Sequence, residues 1–263
     1  MPELPEVETV RKGLLSWVGS TLVNVTTYDL GPNMVTDYGV LEGQTLQSID
    51  RHGKYLFLRF DTDTLLIHLR MTGQFVEGNH VRLRLNFDNG TLPFNDVRKF
   101  ADVRLQHYVD MAPDAMVIEY DTFAANLTGG RSVKVALLDQ NVVAGIGNIY
   151  ACEMCYLARV HPSTPCKELS EKTKRALYDC MKPLLQAAMQ HEGTTFDSYL
   201  NVNGKAGSFL PFLNVFNKTV CPKGHNVKKI KLGGRGTYYC ACQSTMRSSK
   251  QFRSIQPPHT SSH

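Results

Sequence analysis

Apolar residues recur at helical spacing at Val7, Val10, Leu14, Trp17 and Val18, which predicts a helix of about four turns bounded by Gly13 and Gly19. From Thr21 to about Tyr108 the pattern changes to short alternating runs over residues 55–60, 65–69 and 81–87. Asp88-Asn89-Gly90 reads as a hairpin turn, since Asn and Gly tolerate positive φ. Many short strands with such punctuation predict a β-sandwich or barrel closed by the first helix. Beyond it the helical period returns, over residues 132–138, 148–157 and 169–191. The last of these has an apolar face of Leu177, Met181, Leu184, Leu185 and Met189, and Pro183 is expected to kink it. Residues 192–195 start a further short element, and 201–211, with Gly204 and Gly207, read as mobile.

The fold class is therefore α+β. The expected division is an N-terminal β-sandwich domain over residues 1–109, a hinge over 110–127 and a helical domain over 128–215. A β-hairpin over 216–245 and a disordered tail over 246–263 complete it.

Charge sharpens this picture. After Asp197 the chain has ten Lys/Arg and no acidic residue, leaving 19 basic against 24 acidic residues before that point. A basic end on an acidic body is the pattern of a polyanion-binding face, and nucleic acid is the expected partner. No run of eighteen apolar residues and no basic-then-apolar leader occurs, which predicts a protein that remains in the cytoplasm. Seven cysteines, an odd number, fit a reducing compartment better than a disulfide framework.

Several stretches carry candidate chemistry, each with a plainer alternative. The chain opens Met1-Pro2-Glu3-Leu4-Pro5-Glu6. Without Met1, Pro2 presents a secondary amine of pKa ~8 against ~10.4 for a lysine, able to attack carbon and form an iminium. Glu3 is placed to relay protons and Glu6 to sit at the helix start; alternatively the two prolines simply begin a helix. Lys54, in Arg51-His52-Gly53-Lys54, projects from a strand edge and is by itself an ordinary lysine. Met71, in His68-Leu69-Arg70-Met71-Thr72-Gly73, sits on a turn and alone reads as core filler. Asn95-Asp96-Val97-Arg98-Lys99-Phe100 places an aromatic after two cations in a loop-like stretch. Gly145-Ile146-Gly147-Asn148 is a turn feeding a helix N-terminus, where backbone N–H groups suit an anion. Cys152 and Cys155 fall inside a helix with apolar neighbours and read as buried thiols. Cys221, His225, Cys240 and Cys242 are four good zinc ligands in a hairpin too small to hold its shape without a cross-link.

Taken together, these motifs resemble the formamidopyrimidine-DNA glycosylase (Fpg) family of bacterial enzymes that excise oxidised purines, in the right order from Pro2 to Gln243. The run Pro2 to Thr9 is similar to the family's start, and Val143 to Ala151 to its helix-two-turn-helix. The resemblance implies a monomeric DNA glycosylase and AP lyase in which Pro2, Glu3, Lys54 and Arg235 serve catalysis. It implies a DNA-binding set of Lys54, His68, Met71, Arg98, Phe100, Lys134, Asn148 and Arg235. Met71, Arg98 and Phe100 would fill the space left by a flipped base, and the 201–211 region would fold over that base. Glu153 falls where the family has a glutamate one turn into the second helix. A structural zinc ion on Cys221, His225, Cys240 and Cys242 is expected, although the family has Cys-x-x-Cys at both ends of the hairpin. Here Gly224 stands at the second-cysteine position, His225 follows, and the last pair is Cys240-x-Cys242. An endonuclease VIII-like enzyme acting on oxidised pyrimidines, and a non-catalytic binder of damaged DNA, are the competing expectations.

Overall fold

The structure, a computed structural model, describes residues 1–35, 37–195 and 200–243; the tail expected to be disordered lies outside these residues. Helix α1 (Leu4–Leu14) starts with Pro5 in its first turn, where a missing N–H costs nothing, and with the Glu6 carboxylate accepting the Glu3 N–H at 2.8 Å. A 3-10 turn over Leu15–Trp17 extends it, close to the span expected from the sequence. Gly13 does not bound the helix. It lies inside it because the loop bearing Val202 packs so closely that a Cβ there would come within 2.2 Å of the Val202 side chain.

Eight strands follow: β1 (Leu22–Thr27), β2 (Leu46–His52), β3 (Tyr55–Phe60), β4 (Thr64–His68), β5 (Gly73–Gln74), β6 (Val81–Phe87), β7 (Gly90–Asp96) and β8 (Asp102–Leu105). They form two four-stranded antiparallel sheets, ordered β1-β6-β7-β5 and β2-β3-β4-β8. The turn at Asp88-Asn89 closes the β6–β7 hairpin with Phe87 opposite Gly90. Inward residues such as Leu56, Leu58, Leu65, Leu83, Leu85 and Phe94 make the core of this lobe.

The second lobe comprises α2 (Tyr120–Asn126), α3 (Val133–Leu138), α4 (Asn148–Leu157) and α5 (Glu171–Gln190). Ser170 caps α5 by accepting the Thr173 N–H, and Pro183 lies within that helix. Tyr150, Met154, Leu177, Met181 and Leu185 lead its core. The final hairpin pairs β9 (Val227–Leu232) with β10 (Arg235–Cys240) around Gly233-Gly234, both at positive φ as a two-residue turn requires. A small apolar cluster helps anchor it: Cys221, Cys240 and Val215 pack on Cys152 and Tyr156 of α4.

Helix α1 joins the lobes. Leu4 belongs to the helical core, whereas Val7, Val10 and Leu14 belong to the sandwich core. The N-terminus is thereby held at the lobe junction.

Candidate active site

Glu3 precedes α1 and is 2 % exposed. Its carboxylate accepts N–H groups of Gly147 (2.8 Å), Ile149 (2.9 Å) and Tyr150 (3.3 Å), at the start of α4. The sequence suggests that these donors await an external anion; in the structure an internal carboxylate occupies them. Gly147 makes room, since a Cβ would come within 2.3 Å of the Glu3 side chain. Leu4 N–H donates to the Gly145 carbonyl at 3.1 Å and extends the contact. One turn on, Glu6 accepts from the Thr194 N–H and the Tyr150 hydroxyl, each at 2.7 Å. Burial and then the nearby Glu3 charge push Glu6 up to about 7.

Lys54 lies in the turn between β2 and β3, docked on the second lobe. Asp114 accepts the Gly53 N–H at 2.7 Å and pairs with the Arg51 guanidinium. Lys54 is buried, and its ammonium is lowered by burial against the opposing attraction of Glu3. Burial likewise raises the Glu3 carboxyl, against the Lys54 charge and its backbone donors. The two ionisations therefore shift toward each other, as perturbed groups at functional sites often do.

Glu3 and Lys54 line a cavity of about 490 Å³ together with Met1, Met71, Asn148 and Arg235. Pro2, buried, lies between two of these residues in the chain. Asn148 is held from both sides: its Oδ1 accepts from Lys134 Nζ, and its Nδ2 donates to the Gly236 carbonyl at 3.0 Å. Lys134 is itself buried and its ammonium lowered by that burial, so it supports Asn148 from within.

Met71, Arg98 and Phe100 come together on one exposed ridge at the cavity's edge. Met71 is 39 % and Phe100 43 % exposed. Arg98 lies over the Phe100 ring at 4.6 Å and within 3.5 Å of the Met71 sulfur. His68 does not join them on the surface. It is buried with its ring edge to Tyr55, and its Nδ1 accepts the Arg70 N–H at 3.0 Å. Burial, then the Arg70 and Lys54 charges, lower it to about 3, which keeps the imidazole neutral.

In the hairpin Cys221 Sγ, His225 Nδ1 and Cys242 Sγ lie within 4.8 Å of one another. Cys240 stands beside this trio, its sulfur accepting the Cys242 N–H at 3.4 Å. Burial raises the Cys221 thiol, but N–H donors of Lys223 and His225 and the His225 ring outweigh it and bring it to about 6. A soft sulfur and imidazole donor set converging this way fits a zinc ion. Cys152 and Cys155, by contrast, are buried among apolar side chains, and burial drives both thiols up.

For three buried groups the sequence did not reveal the partners, although it placed Glu6 at the helix start and Glu153 one turn into α4. Besides Glu6, Glu153 accepts N–H bonds from Asn214, Val215 and Phe216 at 2.8–2.9 Å and so fixes the wall that Phe216 and Asn217 present to the cavity. Asp96 organises the exposed ridge. The 201–211 region, expected to be mobile, contains a tight turn. Asn201 Oδ1 accepts the Asn203 and Lys205 N–H groups, and its Nδ2 donates to Glu192 at 2.8 Å.

Comparison with known proteins gives a concordant result. Residues 1–103 match the family model for the formamidopyrimidine-DNA glycosylase N-terminal domain, and 111–199 that for the formamidopyrimidine-DNA glycosylase H2TH domain. The formamidopyrimidine-DNA glycosylase of Streptococcus thermophilus is 37% identical over 92% of this chain and 99% of its own. That of Chloroflexus aurantiacus is 35% identical over 94% and 99%. Among solved structures, the Thermus thermophilus Fpg protein superposes with TM-score 0.85 at 32% identity, over 92% of this chain and 98% of that one. A Lactococcus lactis Fpg mutant in complex with Fapy-dG-containing DNA gives TM-score 0.85 at 32% identity, over 93% and 100%.

Proposed function

Because the chain belongs to the formamidopyrimidine-DNA glycosylase family of DNA-repair enzymes, we propose that it removes oxidised purines, 8-oxoguanine and formamidopyrimidines, and then cuts the strand by β- and δ-elimination. The observation that carries this reading is the cavity at the chain's first residues, where Glu3, Lys54, Asn148 and Arg235 converge. Met1 lines that cavity, so its removal opens the ring nitrogen of Pro2 onto the same space.

The Pro2 amine attacks C1′ of the flipped nucleotide. The bond from C1′ to the base breaks, and the base leaves with a proton that Glu3 is positioned to handle. The amine gives up its N–H proton, the C1′–O4′ bond then breaks and O4′ takes up a proton; because Pro2 is a secondary amine, the opened sugar is held as an iminium, an electron sink that acidifies the C2′ proton. Loss of that proton expels the 3′-phosphate, and a second elimination expels the 5′-phosphate. Lys54 and Arg235 supply positive charge where the phosphates meet the cavity, and Asn148 supplies a side-chain amide. Met71, Arg98 and Phe100 occupy the vacated stack, offsetting part of the few kcal/mol that extrusion costs. Cys221, His225, Cys242 and the adjoining Cys240 would hold a structural zinc ion; its contribution is to cross-link the hairpin that carries Arg235.

The enzyme acts as a monomer on duplex DNA in the bacterial cytoplasm. The bacterial relatives support this setting, and among the described residues no helix is long and apolar enough to cross a membrane.

Borohydride trapping on 8-oxoguanine duplex DNA tests the reading. A covalent adduct is expected for protein lacking Met1 and not for protein retaining it; equal trapping by both forms rejects Pro2 as nucleophile. Excision of thymine glycol in preference to 8-oxoguanine would reassign the enzyme to oxidised pyrimidines.

A further inference from the structure

The ridge of Met71, Arg98 and Phe100 is assembled from two separate segments. Residues 70–72 form the turn between β4 and β5, and residues 97–100 connect β7 to β8. Each segment contains a non-glycine residue at positive φ beside a ridge side chain: Arg70 at +51° and Lys99 at +55°. That conformation is uncommon for such residues and persists where surroundings impose it.

The surroundings here are specific. The Arg70 guanidinium is bound by the buried carboxylate of Asp102, at 2.9 and 2.6 Å. The Lys99 ammonium is bound by Asp29, which also accepts from Arg82 at 3.0 Å. Gly31 lets that loop approach, since a Cβ there would come within 2.7 Å of the Lys99 carbonyl. Arg82 in turn donates to the Asp96 carbonyl at 2.8 Å.

Asp96 closes the assembly. Fully buried, it accepts the Ala101 N–H on Oδ2 at 2.8 Å and the Thr72 hydroxyl on Oδ1. The Arg98 N–H points at both the Thr72 hydroxyl and Asp96 Oδ1, at 3.3 Å each. Thr72 adjoins Met71 in the chain, so its hydroxyl is where the two segments meet.

We propose that Thr72, held by Asp96, is a positioning residue that locks the two segments into one ridge formed before DNA binds. The side chains that replace the flipped base are then in place without ordering costs at the moment of extrusion. This inference rests on the reading of Met71, Arg98 and Phe100 as the void-filling group.

The test compares Thr72→Val, Thr72→Ser and Phe100→Ala on two substrates: 8-oxoguanine duplex, and a single-stranded oligonucleotide with a preformed abasic site, which needs no base extrusion. Thermal unfolding of each variant is recorded alongside. Thr72→Val keeps the shape and removes the hydroxyl, so duplex excision should fall about tenfold, the worth of one well-placed hydrogen bond. Single-strand cleavage should stay within about twofold, and Thr72→Ser should restore the duplex rate. If Phe100→Ala is impaired on duplex while Thr72→Val matches the parent, the positioning role is wrong and the void-filling reading stands. An equal loss on both substrates also overturns the positioning role, assigning Thr72 to general stability. If Phe100→Ala itself excises normally, the void-filling reading fails and this inference falls with it.

Discussion

The cavity floor and the terminal hairpin carry the two halves of the proposed chemistry, and they are held together in opposite ways. The floor is buried and stitched by long-range bonds: Glu3 to Gly147 and Ile149, Glu6 to Thr194, and Leu4 to Gly145. The hairpin exposes half of β9 and buries none of it, and its small apolar root includes Cys221 and Cys240. A carboxylate inside a protein can be fixed by backbone donors because nothing competes with them. A charged hairpin has little apolar surface to bury, and the proposed zinc ion would supply order that burial cannot.

The contrast is broken most severely at the floor. Glu3→Gln keeps one of the two oxygens that accept the α4 N–H groups and cannot cycle a proton. Single-turnover base excision should fall by about 10²–10⁴-fold, with the fold retained at a lowered melting temperature; a small loss of excision would mean that Glu3 is a structural cap only. The next effect concerns pH. Folded protein retains the Glu6 proton until about 7, whereas the unfolded chain releases it near 4.5. Stability should therefore decline as pH rises through that interval, by up to about 3 kcal/mol from this group. Denaturant titrations of parent and Glu6→Gln at pH 4.5 and pH 7.5 should show the decline reduced in the variant.

At the hairpin, removing metal with a chelator should lower DNA affinity about tenfold or more and leave the far-UV helical signal nearly intact. Metal analysis before and after completes the measurement, and unchanged affinity in a metal-free sample would refute the cross-link. The smallest effect is expected from Arg235→Ala. DNA binding should weaken several-fold, and the slope of log affinity against log salt should drop by about one.

Much of this was legible in the chain itself. The span of α4 follows from its apolar period and the preceding Gly-x-Gly, whereas the grouping of Met71, Arg98 and Phe100 came from the family resemblance, since Met71 alone reads as core filler. What escaped sequence reading is the partner of each buried carboxylate. Glu3 and Gly147 are 144 positions apart, and Glu6 and Thr194 are 188 apart; no local pattern encodes such pairings. His68 ends the apolar run Leu65-Leu66-Ile67, a mark of burial that the expected DNA contact overrode, and Gly13 looked like a helix stop because close approach by Val202 is a tertiary fact.

Helix α4 is grasped by the hairpin at both ends: Asn148 bonds Gly236 at its start, and Gln243 reaches the Val160 carbonyl just past its finish. A short rod pinned twice turns as one body with whatever holds it. A displacement of β10 would therefore be passed along the helix to the Gly147 and Ile149 N–H groups that hold Glu3. Under the proposed function, the hairpin that meets DNA and the carboxylate that handles protons would rest on one support, and loosening either bond should disturb both.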